Sequence, residues 1–126
     1  MSLPPNLDHS NEKSYKLDMI EMMCRGNETQ ILNMVNVFID QISKSIVEIE
    51  QAYTENDFLK IKSLAHKIKP TLTYFGTAKL EKEFIDTELL IAKEITSTEL
   101  DLKIKTLQLM TNQVVTELKD DFKLTN

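Results

Sequence analysis

His66 lies in the stretch 58–80, which carries Lys60, Lys62, Lys67, Lys69 and Lys79 and no acidic residue. An imidazole nitrogen is a nucleophile able to take a phosphoryl group, and a nearby ammonium can offset charge on the phosphoryl oxygens. These residue types therefore point to an anion, phosphate first. The island is a local feature, because the chain as a whole has 15 basic and 20 acidic residues and a net charge of -5. No glycine-rich phosphate loop, kinase-type motif or metal-like cluster of acids accompanies it. Such a chain can receive and donate a phosphoryl group but cannot take one from ATP.

The elements that must position these residues read as helices. Two glycines, three prolines and 6% aromatic content leave few turns. Leu17, Ile20 and Met23 or Cys24 recur at helical spacing over about 14–24, ended by Gly26 and Asn27, and Asn27 can cap the next helix. Ile31, Val35, Phe38, Ile42, Ile46, Ile49 and Tyr53 form one long stripe that stops at Glu55-Asn56-Asp57. Asp57 is an N-cap for a third helix, with Phe58, Ile61, Ala65, Ile68, Leu72 and Phe75 as its stripe and Gly76 closing it. Thr77 can cap a fourth helix carrying Leu80, Phe84, Thr87, Ile91 and Ile95. Thr96 and Glu99 form a capping-box pattern ahead of Leu100, Ile104, Leu107, Val114, Leu118 and Phe122. Each stripe needs a partner to bury it, so the expected fold is all-α. It is an antiparallel up-down-up-down four-helix bundle with a short additional N-terminal helix. The stripes keep no strict heptad, which disfavours a long parallel coiled coil.

At about 100° per residue, His66 falls roughly 130° from the centre of the third helix's buried stripe and should face solvent. Lys62, Lys69 and Thr73 share its side of the helix, Leu59 and Pro70 border the patch, and Lys67 lies on the far side of His66. Lys60 and Lys79 read as a solvated face, and Leu59 can equally fill a gap under the first helix. Met19, Met22, Met23 and Met34 are expected to fill the core, as is Cys24.

Composition narrows the class. The acidic balance and pI near 5.0 argue against nucleic-acid or anionic-membrane binding, which need a broad basic face. Cys24 is the single cysteine, so there is no intramolecular disulfide, and a thiolate zinc site lacks ligands. No signal-like start and no apolar run of about 18 residues is present, so the expectation is a cytoplasmic protein or a module of a larger one. Residues 1–12, with Pro4, Pro5 and His9, are expected to be a mobile segment ahead of a single bundle domain over 13–126.

The run Ala65-His66-Lys67-Ile68-Lys69-Pro70-Thr71-Leu72, followed by Phe75-Gly76 and Leu80, resembles the signature of histidine-containing phosphotransfer (HPt) domains. That pattern has Ala-His, a lysine three residues on and a glycine ten residues after the histidine, the places of Lys69 and Gly76 here. The resemblance covers nearly the whole chain in size and helical order. It implies a monomeric phosphocarrier in a multistep phosphorelay, without kinase activity of its own. Its partners would be response-regulator receiver domains and a hybrid histidine kinase. His66 would accept and donate the phosphoryl group and Lys69 would stabilise its charge. Leu59, Lys62, Ser63, Lys67, Pro70 and Thr73 would meet the partner, and Gly76 would be structural. The chain would need no cofactor of its own, Mg²⁺ being on the receiver.

The family usually has glycine four residues after the histidine, where this chain has Pro70. Proline there removes the N–H that would bond the carbonyl of His66, at a cost of about 3 kcal/mol in a helix interior. Either the third helix bends past His66, or it ends near Ile68 and restarts with Pro70 in its first turn. The other reading of the whole chain is a helical interaction module that is never phosphorylated.

Overall fold

The computed structural model describes residues 13–93 and 98–124, and these form five helices with no strand among them. The helices are α1 (Asp18–Met23), α2 (Glu28–Thr54), α3 (Phe58–Tyr74), α4 (Ala78–Ala92) and α5 (Thr98–Asp121). Each of the four long helices packs against two others: α2 lies on α3 and α5, and α4 lies on α3 and α5, with α1 against α2. This ring buries the apolar stripes in one core, including Ile42, Ile49, Ile61, Leu72, Phe84, Leu100 and Leu118. Phe38 and Phe75 meet at a ring-centroid distance of 4.1 Å.

The turns follow from local chemistry. Asn27 accepts a hydrogen bond from the Gln30 amide and Asp57 one from the Lys60 amide, each satisfying an orphan donor at a helix start. Asn56, at φ 59°, ends α2 in the left-handed region. At the end of α3 the Gly76 amide donates to the Thr73 carbonyl, and the Thr77 amide to that of Leu72. Gly76 has φ 59°, and the backbone of Lys16 crosses directly over it. A Cβ there would lie 2.7 Å from Lys16 Cβ and 2.9 Å from both Lys16 N and Lys16 O. Two constraints therefore require glycine.

Several expectations need correction. Residues 14–17 are not helical. The Lys16 amide donates to the Phe75 carbonyl at 2.9 Å, the Ser14 amide to Glu117, and the Tyr15 hydroxyl to Asp121. These bonds tie the segment across the α3–α4 turn and α5, so the first helix begins only at Asp18. Arg25, at φ 51°, is the first left-handed residue after α1, ahead of Gly26. Thr77 precedes α4 but makes no capping bond; its hydroxyl donates back to the Leu72 carbonyl. Met19, Met22 and Met23 are exposed, Met34 is half-buried, and Cys24 takes the core position. The stripe of α5 gains Thr111, buried between Leu107 and Val114. Helix α4 stops at Ala92; Ile95, Thr96 and residues 1–12 lie outside the described residues.

No helix among the described residues is long and apolar enough to cross a membrane. Burial, then the hydrogen bond to Asp121, pushes the Tyr15 phenol well above its ordinary 10.0. Hydrogen bonds to Glu83 hold the Lys103 ammonium above its ordinary range against the opposing cost of desolvation.

Candidate functional site

Helix α3 runs unbroken from Phe58 to Tyr74 with Pro70 inside it. The account in which the helix stops at Ile68 and restarts therefore does not hold. The pyrrolidine ring is placed on the exposed side of α3, where the His66 carbonyl, deprived of its usual amide donor, can turn toward water. One turn earlier, Ile61, Ala65 and Ile68 anchor the opposite side in the core. Core packing thus holds the helix in place while leaving the ring of His66 outward, its side chain 77% exposed.

Leu59, Lys62, Ser63, His66 and Lys67 of α3, with Glu88 of α4, line an open depression between the two helices. Leu59 is 80% exposed, so it fills no gap beneath α1. Lys62 and Lys67 flank His66 from both directions along the helix. Lys60 and Lys79 are exposed and lie outside this lining.

Lys69 does not project freely beside the imidazole. Its Nζ lies 2.9 Å from Glu88 Oε1, with the lysine side chain 26% exposed and the glutamate 14%. The two groups form an ion pair between α3 and α4. The other carboxylate oxygen, Glu88 Oε2, is 3.9 Å from His66 Nδ1. That separation is too long for a hydrogen bond but within electrostatic reach. Glu88 therefore faces the histidine and the lysine at once.

Thr73 is drawn away from the patch. Its hydroxyl donates to Glu81 Oε2 at 2.8 Å, with the Lys69 carbonyl at 3.3 Å, tying the end of α3 to the first turn of α4. Neither Thr73 nor Pro70 lines the depression, although both are exposed. Gly76 belongs to the α3–α4 turn, away from the depression, where its role is steric.

Sequence reasoning missed Glu88. It sits on a different helix from His66, 22 positions along the chain, and the stripe of α4 gives no sign that its neighbour to Thr87 points at α3. The available signal was weak: Glu88 is next to a buried residue and so at the boundary of the helix's inward face. Among the described residues no cluster of three or more His, Cys, Asp or Glu has metal-binding geometry.

Chemically, the site offers an exposed imidazole whose Nδ1 edge is turned toward a carboxylate, with Nε2 on the opposite edge of the ring. Two exposed lysines, Lys62 and Lys67, share the depression with it, and Lys69 is paired with the same carboxylate. Compared with protein-family models, curated proteins and solved structures, the chain matches none.

Proposed function

We propose that this chain is a histidine phosphocarrier of a multistep phosphorelay, an HPt-like domain whose four long helices run up-down-up-down and antiparallel. The observation that carries the reading is the exposed His66 ring, set with Lys62 and Lys67 in an open depression on a helix fixed from behind by the core. In the proposed reaction a receiver domain presents a phosphoaspartate at the depression. The lone pair of His66 Nε2 attacks phosphorus, the acyl P–O bond breaks, and the aspartate carboxylate leaves. The reverse step on a second receiver returns the histidine. Lysine charge opposes the build-up of negative charge on the phosphoryl oxygens.

A phosphoryl group on an exposed imidazole is reachable by a second protein, which a carrier requires. The Mg²⁺ and the remaining catalytic groups belong to the receiver in this reading. The chain is a cytoplasmic monomer with no kinase activity of its own and no nucleic-acid or membrane partner. Leu59, 80% exposed at the edge of the depression, supplies an apolar contact for the docking receiver, and Ser63 a small surface that lets it approach.

The test is His66→Gln. Transfer from a phosphorylated receiver should vanish while docking, measured by titration calorimetry with the same receiver, stays within about twofold, a change of under 0.5 kcal/mol. Transfer that survives the substitution rules out His66 as the acceptor. Docking that is absent in both forms rules out a receiver as the partner.

A further inference from the structure

We propose that the main-chain carbonyl of His66, left without its amide donor by Pro70, is a specificity-determining acceptor on the docking face, taking a hydrogen bond from an amide N–H of the partner. The proposal rests on the phosphocarrier reading and adds to it the group that selects among partners.

The placement follows from the helix. In α3 the carbonyl of residue 66 is directed along the axis toward residue 70, whose amide would ordinarily bond it. Pro70 has no N–H, yet α3 continues unbroken to Tyr74. Residues four apart share a face, and both His66 and Pro70 are exposed. The oxygen therefore lies on the outward side, beside the depression, where water serves it in the free chain. Thr73, exposed on the same side, does not replace the missing donor. Its hydroxyl is directed to Glu81 Oε2 at 2.8 Å, with the Lys69 carbonyl at 3.3 Å. Ile61, Ala65, Ile68 and Leu72 hold α3 in the core without the lost bond. A backbone irregularity kept at a cost in stability, one turn from the candidate acceptor, points to use.

Docking turns this oxygen into a discriminator. It belongs to the residue that meets phosphorus, so a partner that covers the exposed imidazole also strips water from the carbonyl. A covered acceptor without a donor weakens the complex, whereas one that receives a hydrogen bond strengthens it. Two receivers of equal shape are thereby separated by whether they carry a donor at this point. Lys62 and Lys67 are exposed in the same depression as His66 and repel a further cation, which favours an amide over a lysine or arginine. With any residue but proline at 70 the bond would close within the helix, and the discrimination would be lost.

The experiment has two arms on the full chain. In the first, the carbonyl ¹³C shift of His66 is read through the Lys67 amide in the wild type and in Pro70→Ala. Alanine returns the N–H, so the resonance should move downfield, and a coupling across the new hydrogen bond should join it to the residue 70 nitrogen. An unchanged resonance means that the oxygen is already bonded within the chain and overturns the proposal. In the second arm, a receiver that labels His66 is titrated calorimetrically with the wild type, with Pro70→Ala, and with N-methylalanine placed at position 70 by cell-free synthesis. The last opens the ring but still lacks the N–H. Pro70→Ala should weaken docking by at least about fivefold while its thermal midpoint rises. The N-methyl form should dock within about twofold of the wild type. Docking of Pro70→Ala equal to the wild type overturns the proposal, as does an equal loss in the N-methyl form, which would assign the contact to the pyrrolidine ring. A panel in which no receiver labels the wild type overturns the carrier reading and this contact with it. A labelled His66 whose docking is indifferent to Pro70→Ala overturns this contact alone.

Discussion

Replacing Gly76 by alanine puts the fold's tightest contact under direct test. At φ 59° an alanine is forced into the left-handed region, which costs about 1–2 kcal/mol. Its Cβ would also sit 2.7 Å from Lys16 Cβ and 2.9 Å from the Lys16 backbone N and O. Relieving that overlap must push away a main-chain segment, at about 1–3 kcal/mol. The Lys16 amide bond to Phe75, worth about 1 kcal/mol, goes with it. The sum is about 3–6 kcal/mol, a drop in Tm on the order of 10–25 °C for a domain of this size. Urea denaturation followed by circular dichroism measures it. Adding Lys16→Gly should recover little, since only one of the three overlaps involves a side chain. Phosphoryl transfer measured well below the transition should be unchanged, because Gly76 is remote from the depression around His66. A loss below about 0.5 kcal/mol, or a full rescue by Lys16→Gly, would refute the reasoning.

Pro70→Ala should stabilise the chain by about 1–3 kcal/mol, since it returns an amide donor to the His66 carbonyl inside an unbroken helix; thermal denaturation checks it. Asp57→Ala should cost about 1 kcal/mol through loss of the cap on the Lys60 amide, read as a lower urea midpoint at constant slope. The folded state raises the Tyr15 phenol above its ordinary 10.0 by burial and the bond to Asp121. The unfolded chain therefore loses this proton first as pH rises. The stability from Tyr15 is complete below about pH 10 and declines as pH climbs toward the folded value, at up to about 1.4 kcal/mol per pH unit. Tyr15→Phe should flatten the alkaline limb of a stability-against-pH curve; an unchanged slope would contradict the assignment.

The long helices were legible because each buries one stripe, and a stripe at 3.6-residue spacing is written in the local sequence. Asn27 and Asp57 were legible as caps for the same reason, since the groups they satisfy are three residues away. Thr77 was not: its hydroxyl has two acceptable local partners, and the Leu72 carbonyl at the end of the preceding helix competes for it. Residues 14–17 read as helix because Leu17 and Ile20 have the right spacing, but bonds to Phe75, Glu117 and Asp121 outweigh that weak preference. Local sequence holds no record of such distant partners. At the candidate site, the outward position of His66 followed from the helix period alone. The capture of Lys69 by Glu88 and of Thr73 by Glu81 depended on how α4 packs on α3, and no residue on α3 announces it.

The central claim is that His66 carries a phosphoryl group passed from a receiver. The most direct measurement is to incubate the chain with a broad panel of phosphorylated receiver domains and map any acid-labile, base-stable phosphate by mass spectrometry. The account predicts such a phosphate on His66 and its disappearance when an unphosphorylated receiver is added. A chain that no receiver labels, or one labelled at a residue other than His66, would contradict it.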